Sequence, residues 1–226
     1  MPTCEDRAMA VLDLDTPHGP ARVHLHPADE PRAALVLGHG AGGGVGAPDL
    51  VAVTGVARTD GVSVALVEQP YRVAGRRSPA PARQLDAAWT AVVEGLSVGE
   101  LHGLPLVVGG RSLGARVACR TVAATGAVAV LCLAFPLEPP RRSGASPRPN
   151  RLPELDAVTV PTLIVQGERD PFGIPPEGVN RVVVRVQGDH SLRTNVDAVA
   201  AAVKAWLPGV IPKTPGMHSH QHEHPD

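Results

Sequence analysis

Short uninterrupted apolar runs alternate along the chain with longer segments whose apolar residues recur every three or four positions. The runs "AALVLG" (33–38), "VSVALVE" (62–68), "LPLVV" (104–108), "AVAVLCLAF" (127–135), "VPTLIVQG" (160–167) and "RVVVRV" (181–186) are too short for buried helices and read as strands. Between them lie amphipathic segments. Pro48 and Asp49 mark the start of a helix that Gly61 ends. Leu85, Ala88, Trp89, Val92, Val93 and Leu96 form one face of a second, and "LGARVACRTVAA" continues as a third. A last helix carries Val196, Val199, Val203 and Trp206 as a stripe, with Pro208 and Gly209 predicted to stop it. At the front, "AMAVLDL" and "ARVHLHP" flank the turn signal "DTPHGP" and predict a β-hairpin, while 71–83, "YRVAGRRSPAPAR", reads as a basic loop. Continuous apolar strands separated by helices predict an α/β fold: a mainly parallel sheet covered by helices on both faces.

Composition narrows what such a fold can do. At 226 residues and 43% hydrophobic content, one large domain over 1–210 is the simplest division. Aromatics make up only 2%, so the core is built from Ala, Val and Leu, and no aromatic platform for nucleic acid is expected. A formal net charge of −1 gives no global attraction to nucleic acid or to an anionic membrane. Cys4, Cys119 and Cys132 are too few and too scattered for a disulfide framework or a zinc site and read as reduced thiols. The acidic N-terminus lacks the pattern of a secretory signal, and the longest apolar run falls far short of the roughly 20 residues of a membrane helix. A cytoplasmic protein is the expectation. The tail 211–226, with His218, His220, His222 and His224 at alternate positions, lacks apolar periodicity; it is expected to be disordered with incidental metal affinity, a storage or regulatory role being the alternative.

Open parallel sheets bind ligands at the carboxyl ends of their strands, and three such places carry suggestive residues. Ser112 stands in Gly110-Arg111-Ser112-Leu113-Gly114, a G-x-S-x-G pattern directly after a strand and before a helix. Gly95-Leu96-Ser97-Val98-Gly99 matches the same pattern but follows a helical stripe with no strand before it, so Ser97 is assigned to a helix end or a loop. Asp170 follows the strand "PTLIV" in "QGERDPFG", and His190 follows "RVVVRV" in "QGDHSL". Alone, Asp170 reads as a turn former and His190 as a surface or hydrogen-bonded residue. Together they give the chain order serine, acid, histidine, each at the end of its own strand. The glycine-rich "GHGAGGG" after 33–38 can present backbone donors to a developing oxyanion, and the N–H groups of Ala41 and Leu113 are the predicted pair. A phosphate cradle is the competing reading of that loop, but the Gly-Lys-Ser/Thr ending of a P-loop is missing. His39 is expected to hold the loop by a hydrogen bond. His24 and His26 share one strand face, and His18 and His102 lie in turns.

These segments, "GHGAGG", "GRSLGAR", "GERDPFG" and "GDHSL", together with "EQPYRVAGRR", resemble the signature segments of the α/β-hydrolase superfamily from about Ala33 to Leu207. In detail they are similar to a small dienelactone-hydrolase-related branch that includes testis-expressed proteins and a histone-acetyltransferase regulatory subunit. The resemblance implies the hydrolase fold, with Ser112 as nucleophile, Asp170 as acid and His190 as base. True dienelactone hydrolases carry cysteine where this chain has Ser112. The expected reaction is acyl transfer from a small ester or thioester through an acyl-enzyme, with no metal or organic cofactor. A hydrolase-fold binding or scaffold protein is the rival, since some members of the branch serve as non-catalytic subunits. The Pro-, Gly- and Arg-rich segment 136–158 argues against a helical cap, so no large cap domain is expected. Arg76 and Arg77, with Arg72, and a second group, Arg141, Arg142, Arg148 and Arg151, either converge on an acidic acyl group or are solvated loop arginines; Arg111 is a further candidate for substrate. The oligomeric state is not legible.

Overall fold

A computed structural model describes residues 9–138 and 150–212. The chain opens with β1 (Ala10–Leu14) and β2 (Ala21–His26), continues through β3 (Ala33–Gly38), α1 (Pro48–Thr59), β4 (Val62–Glu68), α2 (Pro70–Val73), α3 (Ala82–Val98), β5 (Leu106–Arg111) and α4 (Leu113–Thr125), and ends with β6 (Ala129–Leu133), α5 (Leu152–Asp156), β7 (Thr162–Gly167), β8 (Arg181–Val186) and α6 (Val196–Val210). The strands form one sheet in the order β1-β2-β4-β3-β5-β6-β7-β8. β1 and β2 form the expected hairpin, β2 runs antiparallel to β4, and every later pairing is parallel. This is the α/β-hydrolase arrangement, and no large cap domain is present among the described residues.

Alternation along each strand divides the core in two. Ala34 and Val36 of β3, Val108 of β5 and Val130 of β6 join Leu85, Trp89, Val92, Ala115 and Ala118 of α3 and α4 on one face. Leu35, Leu37, Val107 and Leu131, their neighbours in sequence, face Leu50, Val53, Val199, Val203 and Leu207 of α1 and α6 on the other. Sheet and helices therefore meet mainly through aliphatic side chains, as the low aromatic content requires, with Trp89 the large ring among them. Cys119 and Cys132 are buried free thiols with Sγ atoms 3.5 Å apart; that contact, followed by burial, pushes the Cys132 thiol up from its ordinary range. On the outer side of α4, Arg116 binds Glu154 of α5, and Arg120 binds Asp86 of α3 with Glu154 close by.

Three boundaries differ from the sequence reading. Residues 70–73, within the expected basic loop, make the short helix α2, and 152–156, in the segment expected to be a loop, make α5. The last helix does not stop at Pro208 but runs to Val210. Pro208 removes the N–H that would bond the Lys204 carbonyl; both residues lie on the solvent-exposed face, where an unpaired carbonyl is not desolvated, while Leu207 and Ile211 keep the opposite face anchored. Leu207, not Trp206, completes the buried stripe. The His-rich tail beyond Pro212, Cys4 and the segment with Arg141, Arg142 and Arg148 lie outside the described residues.

The parallel strands end in register, Gly38 beside Gly110, Arg111 beside Leu133 and Gly167 beside Val186, so the loops that follow share one edge. At that edge α4 crosses the sheet without side chains between them. A Cβ on Gly114 or on Gly110 would fall against the Gly38 carbonyl. Gly114→Ala is accordingly expected to destabilise the protein by about 3 kcal/mol, since backbone on both sides blocks relaxation. Gly55→Ala on the exposed side of α1, where a Cβ meets nothing, is expected to stabilise it by about 0.8 kcal/mol. Urea unfolding of the two variants checks both signs.

Candidate active site

The turn from β5 into α4 fixes Ser112 in a backbone conformation that side chains rarely adopt, φ 52° and ψ −102°. Its N–H donates to the Leu133 carbonyl at 2.9 Å, and its own carbonyl accepts from the Arg116 N–H at 3.2 Å. The residue is thus tied to β6 on one side and to the first turn of α4 on the other, with its side chain left partly exposed.

Two loops bring the remaining groups to it. Backbone bonds from Glu168 N–H to the Val186 carbonyl and from Arg169 N–H to the Gly188 carbonyl, each 2.9 Å, extend the β7–β8 pairing beyond the strands and join the Asp170 loop to the His190 loop. Gly167 lets them close, because a Cβ there would meet the Asp189 carbonyl. Asp189 then turns the chain: its carboxylate accepts from the Ser191 hydroxyl at 2.6 Å and the Ser191 N–H at 2.8 Å, bonds that hold it below the usual carboxylate range. The result is a continuous chain of groups. His190 Nε2 lies 2.9 Å from Ser112 Oγ, and His190 Nδ1 lies 2.8 Å from Asp170 Oδ2. An ionised carboxylate only accepts, so Nδ1 carries the proton and Nε2 is left to accept from the serine hydroxyl.

Asp170 is wholly buried at its side chain, and among the described residues no lysine or arginine pairs with it; hydrogen bonds satisfy its carboxylate. Oδ1 accepts from the Phe172 N–H at 2.9 Å, and Oδ2 accepts from Gln166 Nε2 at 2.8 Å as well as from His190. The Phe172 ring packs on the imidazole, centroids 4.4 Å apart. Sequence reasoning did not single out Gln166 or Phe172. The signal for Phe172 lies in "RDPFG", where the aspartate turns the chain back on itself; for Gln166 the signal is a polar residue in an otherwise apolar strand.

The loop after β3 is braced rather than free. His39, almost fully buried, donates from Nδ1 to the Gly40 carbonyl at 2.8 Å and accepts at Nε2 from the Gln69 N–H at 3.1 Å. Tyr71 donates its hydroxyl to the Ala41 carbonyl at 3.0 Å, and its ring lies against His39. Burial pushes His39 down from the usual histidine range and Tyr71 up to about 12. Among the described residues, neither the Ala41 nor the Leu113 N–H is engaged with another group of the protein. Ser97 lies inside α3, where its hydroxyl bonds the Val93 carbonyl at 2.7 Å.

The candidate arginines separate. Arg111 meets Asp49 at 3.0 Å and donates to the His190 carbonyl at 2.9 Å. Burial raises the Asp49 carboxyl from its ordinary range, with Arg111 opposing that effect. Arg76 lines a pocket with His18, Gln69, Tyr71 and Gln84, outside the Ser112 cluster, and Arg77 is exposed. Arg151 donates to the Pro136 carbonyl at 2.8 Å. Among the described residues no group of three His, Cys, Asp or Glu could hold a metal ion, and no helix is long and apolar enough to cross a membrane.

Comparison with known proteins agrees with this fold. The sequence pattern of the family described as "Alpha/beta hydrolase domain" matches residues 31–202. Among solved structures, a Xanthomonas campestris protein, a member of the α/β serine hydrolases without a lid, is 19% identical with a TM-score of 0.72, the match covering 95% of this chain and 99% of that one. Est1E from Butyrivibrio proteoclasticus is 18% identical, with a TM-score of 0.73 over 90% of this chain and 99% of that one. A dienelactone hydrolase from Anabaena variabilis is 15% identical, with a TM-score of 0.73 over 92% and 100%. These likenesses concern the fold. No curated protein sequence matches the chain.

The buried neutral His39 makes stability depend on pH with a definite sign. Its folded-state value lies below the ordinary 6.5, so below about pH 6.5 the unfolded chain binds a proton that the folded one refuses, and stability falls as pH drops toward the lowered value. His39→Gln is expected to be less stable at pH 8, by about 1 kcal/mol for the lost hydrogen bonds, and to show a shallower loss between pH 7 and 5. Denaturant midpoints across that range check it.

Proposed function

Because the chain belongs to the alpha/beta hydrolase domain family, we propose that it is a serine hydrolase acting on small acyl esters or thioesters. The observation that carries the proposal is the unbroken chain from a strained Ser112 through His190 to buried Asp170, at 2.9 and 2.8 Å. In this reading His190 Nε2 takes the Ser112 proton as Oγ attacks the acyl carbonyl. Asp170 holds the reactive tautomer and stabilises the imidazolium, and the carbonyl oxygen, now negative, sits between the Ala41 and Leu113 amides. The tetrahedral intermediate collapses, His190 returns the proton to the leaving alcohol or thiol, and water then repeats the sequence on the acyl-serine to release the acid. The steps draw on no metal or organic cofactor.

The branch related to testis-expressed proteins and the histone-acetyltransferase subunit is the finer placement we propose, on the strength of "GRSLGAR" and "EQPYRVAGRR". Serine at 112 sets the chain apart from cysteine-dependent dienelactone hydrolases. Arg76 and Arg77 are proposed to favour acidic acyl groups; their exposure near α2 supports an outer, electrostatic role rather than contact with the reacting carbonyl.

A fluorophosphonate probe is expected to label wild type and Ser97→Ala but not Ser112→Ala; absence of labelling in the folded wild type would overturn the proposal. Asp170→Asn is expected to slow acylation by about four orders of magnitude through the wrong tautomer, read in single-turnover assays with p-nitrophenyl esters. Replacing Arg76 and Arg77 together with alanine is expected to raise KM for anionic esters more than for neutral ones, and equal effects would remove the charge preference.

A further inference from the structure

Arg111 directly precedes Ser112, and its side chain enters the space between two loops and the N-terminus of α1. Nε stands 3.0 Å from Asp49 Oδ2 in the first turn of α1, and Nη2 donates to the His190 carbonyl at 2.9 Å. A Cβ built on Gly40 would lie 3.0 Å from Nη1, so the third nitrogen of the guanidinium packs against the backbone of the loop after β3. The Asp49 side chain is fully buried and that of Arg111 is 17% exposed. One planar group thus touches the β3 loop, the N-terminus of α1 and the His190 loop at the same time. Resting on the serine-hydrolase reading above, we infer that Arg111 is a positioning residue: locked by Asp49, it sets the His190 loop and the Ala41 loop in register around Ser112.

The chemistry favours arginine specifically. Its fork offers several donors at fixed angles, so the ion-pair contact with Asp49 and the hydrogen bond to the His190 carbonyl together fix the plane of the guanidinium. A lysine ammonium keeps the charge but cannot span Asp49 and the His190 carbonyl with that geometry. A buried Asp49 is costly without its partner, so the pair is more than a surface ion pair whose loss goes unnoticed. The His190 side chain hangs from the backbone that Arg111 holds by its carbonyl, and a displacement on the order of 1 Å is enough to cost about 100-fold in rate. Arg111 therefore acts through His190, and contact with substrate forms no part of the inference.

The test compares Arg111→Lys, which keeps the charge, with the double variant Asp49→Asn/Arg111→Met, which leaves no buried charge unpaired. Melting temperatures establish that each is folded, and long-range ¹H–¹⁵N spectra of the His190 imidazole, assigned with His190→Gln, report its tautomer. Arg111→Lys is expected to fold, to lose about 10- to 100-fold in kcat with KM changed less than about 2-fold, and to show His190 averaging between tautomers; the double variant is expected to do the same. A folded Arg111→Lys that keeps the wild-type tautomer and acylation rate overturns the inference, as does a loss confined to KM, which would make Arg111 a substrate contact. Should wild type fail to react with the fluorophosphonate, the hydrolase reading falls, and the imidazole spectra still decide whether Arg111 holds His190.

Discussion

The backbone of Ser112 is the constraint on which the site depends. A non-glycine residue at φ 52° costs on the order of 1–3 kcal/mol and persists only where its surroundings leave no alternative. Here the surroundings are β6, which accepts the Ser112 N–H through Leu133, and α4, whose first turn closes on the Ser112 carbonyl. Direct backbone contact among Gly38, Gly110 and Gly114 fixes the crossing of α4 over the sheet, and the buried Val117 and Ala118 hold the helix down on it. Strain at one residue is maintained by packing distributed over a helix and three strands. The hydroxyl is consequently held at the sheet edge before any ligand arrives.

Two buried carboxylates flank this turn, and they are solvated in different ways. Asp49 faces Arg111, a charge that no accessible pH removes, and so serves as a fixed anchor. Asp170 accepts from neutral donors, the Phe172 amide and the Gln166 carboxamide, and among the described residues His190 is its one ionisable partner. In the reaction proposed above, a carboxylate arranged in this way stabilises the imidazolium as it forms. Exchanging the two arrangements would defeat both: a cation beside Asp170 would weaken its hold on His190, and neutral donors at Asp49 would leave two loops and the N-terminus of α1 without a common anchor.

Much of this was legible in the chain because the determining signals are local. Apolar runs located the strands, and a strand immediately before the G-x-S-x-G pattern separated Ser112 from Ser97, whose hydroxyl is spent on its own helix. The ordering of Ser112, Asp170 and His190 at strand ends reflects sheet topology, which the alternation of elements already implied. What escaped was set by side-chain direction between distant segments. Arg111 was read among other basic residues as facing substrate, whereas its partner Asp49 looked like an ordinary helix start, and only the β3–β5 register brings the two together. Gln166 escaped in part for a similar reason, since its partner Phe135 comes from the end of β6, while Gly173 meets it only because the loop after β7 folds back. The end of α6 was misplaced because Pro208 was judged by its intrinsic effect, and the exposed side on which it falls depends on packing.

The sparing use of aromatic residues acquires a meaning once the site is in place. The chain has one tyrosine, two phenylalanines and two tryptophans; Tyr71, Trp89 and Phe135 belong to the core on the α3–α4 side of the sheet, and Phe172 lies on His190. Tyr71 braces the loop after β3 through the Ala41 carbonyl, and Phe172 covers His190. Phe135 is buried at the end of β6 with its carbonyl on Gln166, and the Trp89 ring lies directly over Gly38. Aliphatic side chains suffice to bind sheet to helix, where interdigitation over a long contact supplies rigidity. A loop has no such contact area. A large ring with few rotatable bonds fixes it at a single point with little entropy lost, and with a hydroxyl at its edge, as in Tyr71, it also satisfies a loop carbonyl. Aliphatic packing, with Trp89 and Phe135 set into it, holds the sheet and helices that strain Ser112, and the Tyr71 and Phe172 rings brace the loops beside it.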